Sequence, residues 1–162
     1  MLHLEVFTDG SVNNQLKVGY GAYLVISEPC KSIDRLKHDV KIKRFTPTSS
    51  TKLELQTLLW ALHDIIILAA ERDFRLTIYT DSQNIIGLPD RRIALEQSNY
   101  FSSKNKRLNN YELYKEFYQL TSSIKYMLVK VVGHQVSSNK NEVDRLFALV
   151  DKASRRALRE QF

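Results

Sequence analysis

The stretch that most constrains the fold runs from Lys52 to Arg72. Leu53, Leu55, Leu58, Leu59, Trp60, Leu62, Ile65, Ile66, Ile67 and Leu68 occupy almost the whole circumference of a helix there. A helix apolar on nearly every side belongs in the middle of a domain, covered by other elements. Its flanks say what covers it. Upstream, Thr46-Pro47-Thr48-Ser49-Ser50-Thr51 is rich in residues that cap helix starts. Downstream, Arg75 to Thr80 is a β-branched and aromatic run that closes at Asp81. Strand, helix, strand in that order predicts a parallel crossover.

Three more runs precede the helix. In Leu2 to Phe7, Leu2, Leu4 and Val6 alternate with His3, Glu5 and Phe7, the two-residue period of a strand. That strand is expected to end at Asp9, with Gly10 allowing a sharp turn. Val18 to Ser27 reads as a second strand, joined to the first by the short polar loop Val12 to Lys17, which suggests an antiparallel hairpin. His38 to Phe45 reads as a third. After Asp81, Ser82 to Leu88 opens a short helix broken before Pro89, Arg91 to Gln97 forms another, and Tyr111 to Ser123 repeats Leu113, Phe117 and Leu120 at helical spacing. Tyr126 to Val132 is a fifth strand, and an amphipathic helix over 139–160 closes the chain. The expectation is one α/β domain spanning 1–162, without internal repeat or linker.

Charge narrows the partners. Lys and Arg number 24 against 18 for Asp and Glu, a formal charge of +6. Such a surface favours a polyanion such as nucleic acid, although an excess of this size also occurs on generically basic proteins. Cys30 is the only cysteine, so no intrachain disulfide can form and a reducing compartment fits. The first strand begins almost at once, with no basic-then-apolar leader, and no apolar run is long enough to span a bilayer. The expectation is a cytoplasmic protein with no membrane and no obligate protein partner.

Four acids stand where acids are costly. Asp9 and Asp81 close strands. Glu54 shares a helical stripe with Thr57, Leu58, Ala61 and Leu62, and Asp144 shares one with Phe147 and Ala148. A carboxylate aimed at an apolar interior loses several kcal/mol of hydration unless a cation compensates it. The helix dipole by itself accounts for an acid in a first turn, so Glu54 and Asp144 each have a purely structural reading. It does not account for two strand ends and two helix starts all carrying one. Such termini can converge at one end of a sheet, where four carboxylates repel unless divalent cations lie between them. An all-oxygen donor set selects hard ions, Mg²⁺ or Mn²⁺. His134, in the loop before the last helix, is either an incidental loop residue or a proton carrier beside such ions. His38 and His63 each precede an aspartate, but sequence neighbours point different ways; these two and His3 read as structural.

These residues resemble type 1 ribonuclease H over essentially the whole chain. The resemblance rests on Phe7-Thr8-Asp9-Gly10-Ser11, Gly19-Tyr20-Gly21-Ala22, Glu54-Leu55 in a long helix, Thr80-Asp81-Ser82-Gln83, Gly133-His134, and Asp144 followed by Leu146 and Ala148. It implies a five-stranded mixed sheet flanked by helices, its first three strands antiparallel and its last two parallel to the first. It implies that Asp9, Glu54, Asp81 and Asp144 bind two Mg²⁺ ions, with Mn²⁺ as a substitute, and that His134 is the mobile histidine. The implied activity is hydrolysis of the RNA strand of an RNA–DNA hybrid, leaving 5′-phosphate and 3′-hydroxyl ends.

Substrate contacts are expected from Gln83, Ser50, Thr51 and the backbone near Gly10 and Ser11 in the hybrid's minor groove, where 2′-hydroxyls distinguish RNA. Lys104, Lys106 and Arg107 would attract phosphates, or form a solvated loop. The chain departs from the family in its first loop, Val12-Asn13-Asn14-Gln15-Leu16-Lys17, which lacks Gly and Pro. Ser50 and Thr51 stand where an Asn-Asn pair is usual, and Lys140 stands where an Asn is frequent four residues before Asp144. Two other readings keep some of these features: a nuclease of the same fold with a different nucleic-acid substrate, and a binding module without catalysis.

Overall fold

A computed structural model describes residues 1–27, 32–132 and 141–162. Five strands form one sheet: β1 (Leu2–Asn13), β2 (Val18–Ile26), β3 (Lys41–Phe45), β4 (Phe74–Thr80) and β5 (Lys125–Lys130), in the order β3-β2-β1-β4-β5. β1 pairs antiparallel with β2, and β2 with β3; β4 runs parallel to β1, and β5 parallel to β4. The mixed sheet and its strand directions are as expected. The helices are α1 (Ile33–Leu36), α2 (Ser50–Ala69), α3 (Gln83–Ile86), α4 (Leu88–Gln97), α5 (Tyr111–Thr121) and α6 (Glu142–Gln161).

Alternation along β1 divides the core. Leu4 and Val6 face a cluster built from α2 and α5, with Leu58, Leu62, Ile65 and Phe117 buried among them. Phe7 faces the other side, packing with Leu24, Phe147 and Val150 beneath α6. The sheet is thus covered by α2 and α5 on one face and by α6 on the other, and the parity of a β1 residue decides which helix it meets.

Several boundaries differ from expectation for local reasons. β1 does not stop at Asp9: Gly10 pairs with Gly21 and Ser11 with Tyr20, so Gly10 continues the strand and does not turn it. The glycine is needed for close packing, since a Cβ there would lie 2.8 Å from Leu53 Cδ2. At Gly21 it would lie 2.1 Å from Thr57 Oγ1. These missing side chains let the start of α2 settle onto the β1–β2 hairpin. His38 belongs to a 3₁₀ turn over Lys37–Asp39, and β3 begins only at Lys41. α2 starts at Ser50, capped by Ser49, and is not buried throughout; Ile67 and Leu68 near its end are 76% and 58% exposed. Pro89 lies in the first turn of α4, where a missing N–H costs nothing, and so opens that helix. No helix among the described residues is long and apolar enough to cross a membrane.

Candidate active site

The β1–β4 register runs from Leu2–Phe74 to Phe7–Tyr79, whose rings stack with centroids 4.6 Å apart. The same register carried two residues further sets Asp9 beside Asp81. Asp81 follows directly on the last residue of β4, and α3 begins two residues later behind the Ser82 cap. On the α2 side, the close packing at Gly10 and Gly21 brings Glu54 down beside these two acids. A small cleft results, lined by Thr8, Asp9, Glu54, Thr57, Thr80 and Asp81. Three of the four sequence-derived acids therefore share one cleft. Glu54 is the fifth residue of α2, beyond its first turn, which removes the helix-dipole account of its placement.

Electrostatics mark the cleft as a site short of positive charge. Burial, then the negative charge of Asp81 and a carboxyl–carboxyl hydrogen bond with Asp151, push the Asp9 carboxyl up to about 8. Burial also raises Glu54, with Asp81 adding to the rise, while the hydroxyl of Ser82, donating to Glu54 Oε2 at 2.6 Å, opposes it. Carboxyls held above their usual range at neighbouring positions are held there by desolvation and mutual repulsion, which a cation would relieve. Among the described residues, no three His, Cys, Asp or Glu side chains are drawn together as a ready-made ion cage. The donors are nonetheless all oxygen, the chemistry that hard divalent ions require.

The other sequence-derived positions fall as follows. Asp144 is the third residue of α6 and completes a capping box: its backbone N–H donates to Asn141 Oδ1 at 2.9 Å, and its Oδ2 accepts from the Asn141 N–H at 3.2 Å. His134 lies outside the described residues. Ser50 and Thr51 form the exposed first turn of α2. Gln83 is exposed and accepts from Lys130 Nζ at 2.8 Å. The Ser11 hydroxyl is hydrogen-bonded to Ser154 of α6 at 3.2 Å, and Gly10 lies under Leu53.

Lys104, Lys106 and Arg107 sit on a structured loop. The Ser102 N–H donates to the Lys106 carbonyl, and the Leu108 N–H to the Tyr100 carbonyl. The Arg107 guanidinium lies 4.7 Å from the Phe101 ring centroid and 4.6 Å from that of Tyr111, so two aromatic rings hold it. Lys104 and Lys106 are exposed. Of the histidines read as structural, His3 bonds Thr77 and His63 pairs with Glu116.

The residue that sequence reasoning missed is Asp151. It lies seven residues after Asp144 and hence on the same face of α6. Counting that stripe onward from Asp144 would have found it; only the packing of α6 shows that it reaches Asp9.

A mixed sheet in this strand order, with acids gathered on β1 and just past the end of the neighbouring β4, defines a class of α/β proteins carrying a carboxylate site on two interior strands. The RNase H family model matches residues 2–153, and the chain belongs to that family. It is 26% identical to the ribonuclease H of Novosphingobium aromaticivorans over 148 residues, 90% of this chain and 94% of that one. Among solved structures it resembles LC9-RNase H1, described as a type 1 RNase H with the type 2 active-site motif. The TM-score is 0.69 at 18% identity, over 99% of this chain and 74% of that one. It also resembles the foamy viral protease-reverse transcriptase in complex with RNA/DNA hybrid, with a TM-score of 0.66 at 9% identity over 96% of this chain and 19% of that one.

Proposed function

We propose that this chain is a single-domain, metal-dependent endonuclease that hydrolyses the RNA strand of RNA–DNA hybrids, leaving 5′-phosphate and 3′-hydroxyl ends. The observation that carries the proposal is the shared cleft of Asp9, Glu54 and Asp81, with Asp9 and Glu54 raised by burial and by Asp81. Membership of the RNase H family supports the substrate class.

Asp9, Glu54 and Asp81 would hold two Mg²⁺ ions, or Mn²⁺ in their place. The chemistry such ions supply when bound is the acidification of a water and the neutralisation of the leaving oxygen in an in-line displacement. Ser82 favours the ionised form of Glu54 by donating to it, against the opposing effect of burial, and so orients one acceptor. Asp9 must give up its proton for the site to load, since only the carboxylate binds a cation. His134 would carry a proton during attack or product departure. The last helix supplies the fourth carboxylate, which the resemblance sets at Asp144.

The open first turn of α2 at Ser50 and Thr51, together with Gln83 and the backbone at Gly10 and Ser11, would face the minor groove of the hybrid. Lys104 and Lys106 would add phosphate attraction, with Arg107 ordering the loop that presents them. A cytoplasmic setting suits a chain whose one cysteine is Cys30, and nothing in this reading requires a membrane or a protein partner.

The test is hybrid cleavage with Mg²⁺ and Mn²⁺, comparing the wild-type chain with Asp9→Asn. Cleavage by wild type and its loss in a folded variant support the proposal; undiminished cutting by Asp9→Asn overturns it. An RNA duplex and a DNA duplex of the same sequence, run alongside, separate a hybrid-directed enzyme from a nuclease with another substrate. Hybrid binding without any metal-dependent cleavage would mark a binding module.

A further inference from the structure

We propose that Asp151, in the third turn of α6, supplies the fourth cation-binding carboxylate of the site, and that Asp144 serves α6 as the capping-box partner of Asn141. The proposal rests on the two-cation reading above and names the residue through which the last helix enters it.

The geometry follows from parity on β1. Phe7, Asp9 and Ser11 share the face covered by α6. Phe7 packs with Phe147 and Val150, and Ser11 is hydrogen-bonded to Ser154, itself fully buried. These contacts fix α6 against β1 on both sides of Asp9. The acid of α6 that lies between them is Asp151, and its carboxyl is hydrogen-bonded to that of Asp9. Ser154 also donates to the Asp151 carbonyl at 3.1 Å, so the clamp on Ser11 holds this turn of the helix directly. On the far side, Arg155 Nε lies 3.0 Å from Asp151 Oδ1 and restrains the carboxylate without burying it.

Asp144 occupies a different level. Seven residues at about 1.5 Å each place it roughly 10 Å back along the α6 axis, although on the same stripe. There its backbone and one carboxylate oxygen are engaged with Asn141. A reciprocal capping box is a sufficient reason for an acid at the third position of a helix.

The discriminating experiment uses the full chain with Asp151→Asn, Asp144→Asn and Asp9→Asn. Mn²⁺ binding is measured by titration calorimetry without nucleic acid, the Mg²⁺-induced rise in Tm is followed in parallel, and hybrid cleavage is assayed last. The expected result is that Asp151→Asn weakens Mn²⁺ binding by about tenfold or more and loses cleavage, while its metal-free Tm is kept or raised. Asp144→Asn is expected to lower the metal-free Tm and leave Mn²⁺ affinity within a few-fold of wild type. The reverse pattern, with metal affinity lost in Asp144→Asn and kept in Asp151→Asn, overturns this inference and leaves the two-cation reading standing. A wild-type chain that binds no Mn²⁺, or an Asp9→Asn variant that binds it equally well, overturns that reading and this inference with it.

Discussion

The Ser82 hydroxyl donates to Glu54 Oε2 at 2.6 Å while accepting from the Ile85 N–H at 3.2 Å. One side chain thus caps α3 and holds the cleft carboxylate supplied by α2, tying the two elements that flank the β4 terminus. Removing it should be felt in both stability and activity. Ser82→Ala is expected to cost about 1–2 kcal/mol, the usual loss for a cap plus a charge-assisted hydrogen bond. It should also move the acidic limb of the activity–pH profile upward, because Glu54 loses the contact that favours its ionised form. Urea unfolding and a profile of kcat/KM against pH check the two effects separately.

Without a cation, the Asp9 contribution to stability should fall as pH rises from about 4 to about 8. The Asp9 carboxyl is pushed up to about 8 in the folded chain, against an ordinary value of 3.8. Between those values the folded state binds a proton that the unfolded state releases, so raising pH favours unfolding. The stabilisation is complete below the ordinary value and lost as pH passes the folded one. Mg²⁺ should reverse the trend, since it favours the ionised carboxyl, and its apparent affinity should rise through the same window. Melting curves at several pH values, in EDTA and in Mg²⁺, test this; a metal-free Tm that rises steadily from pH 5 to 9 would contradict it.

Asp9→Asn should stabilise the metal-free protein at pH 8–9, because it removes a buried negative charge facing Asp81 and Asp151. The same substitution should abolish the Mg²⁺-dependent rise in Tm. Calorimetric scans of the two proteins at pH 8.5, with and without Mg²⁺, distinguish this trade from simple damage to the fold.

Gly21→Ala should destabilise by about 1–3 kcal/mol or more, as overpacking does, because the new Cβ would lie 2.1 Å from Thr57 Oγ1. It should also lift the start of α2 and carry Glu54 away from Asp9. Adding Thr57→Ala removes the closest atom and should recover part of the loss. Denaturant midpoints of the single and double variants, read as a double-mutant cycle, measure the coupling.

Lys104→Ala and Lys106→Ala should each weaken hybrid binding mildly and reduce the slope of log K against log salt by about 1 if the side chain neutralises one phosphate. Arg107→Ala should do more, because Arg107 lies between Phe101 and Tyr111 and its loss frees the loop. Equilibrium binding of a hybrid at several salt concentrations separates the two kinds of effect.

Local chemistry written in the chain settles most of the architecture. The two-residue period of Leu2 to Phe7, the apolar run from Leu53 to Leu68 and the capping residues before it already specify strands, crossover and sheet. Three acids of the cleft were legible for a related reason: Asp9 and Asp81 read as strand ends and Glu54 as a member of an apolar stripe, where an acid needs a reason to be, although β1 runs on past Asp9. What periodicity cannot supply is the axial position of one element against another. Asp144 and Asp151 occupy the same helical stripe seven residues apart, so no pattern along the chain separates them. Phe7 against Phe147 and Val150, and Ser11 against Ser154, set how far α6 slides along β1, and that long-range packing brings Asp151 to Asp9. Gly10 has the same lesson: its sequence suggests a turn, yet it stays in the strand because Leu53 needs the space its side chain would fill.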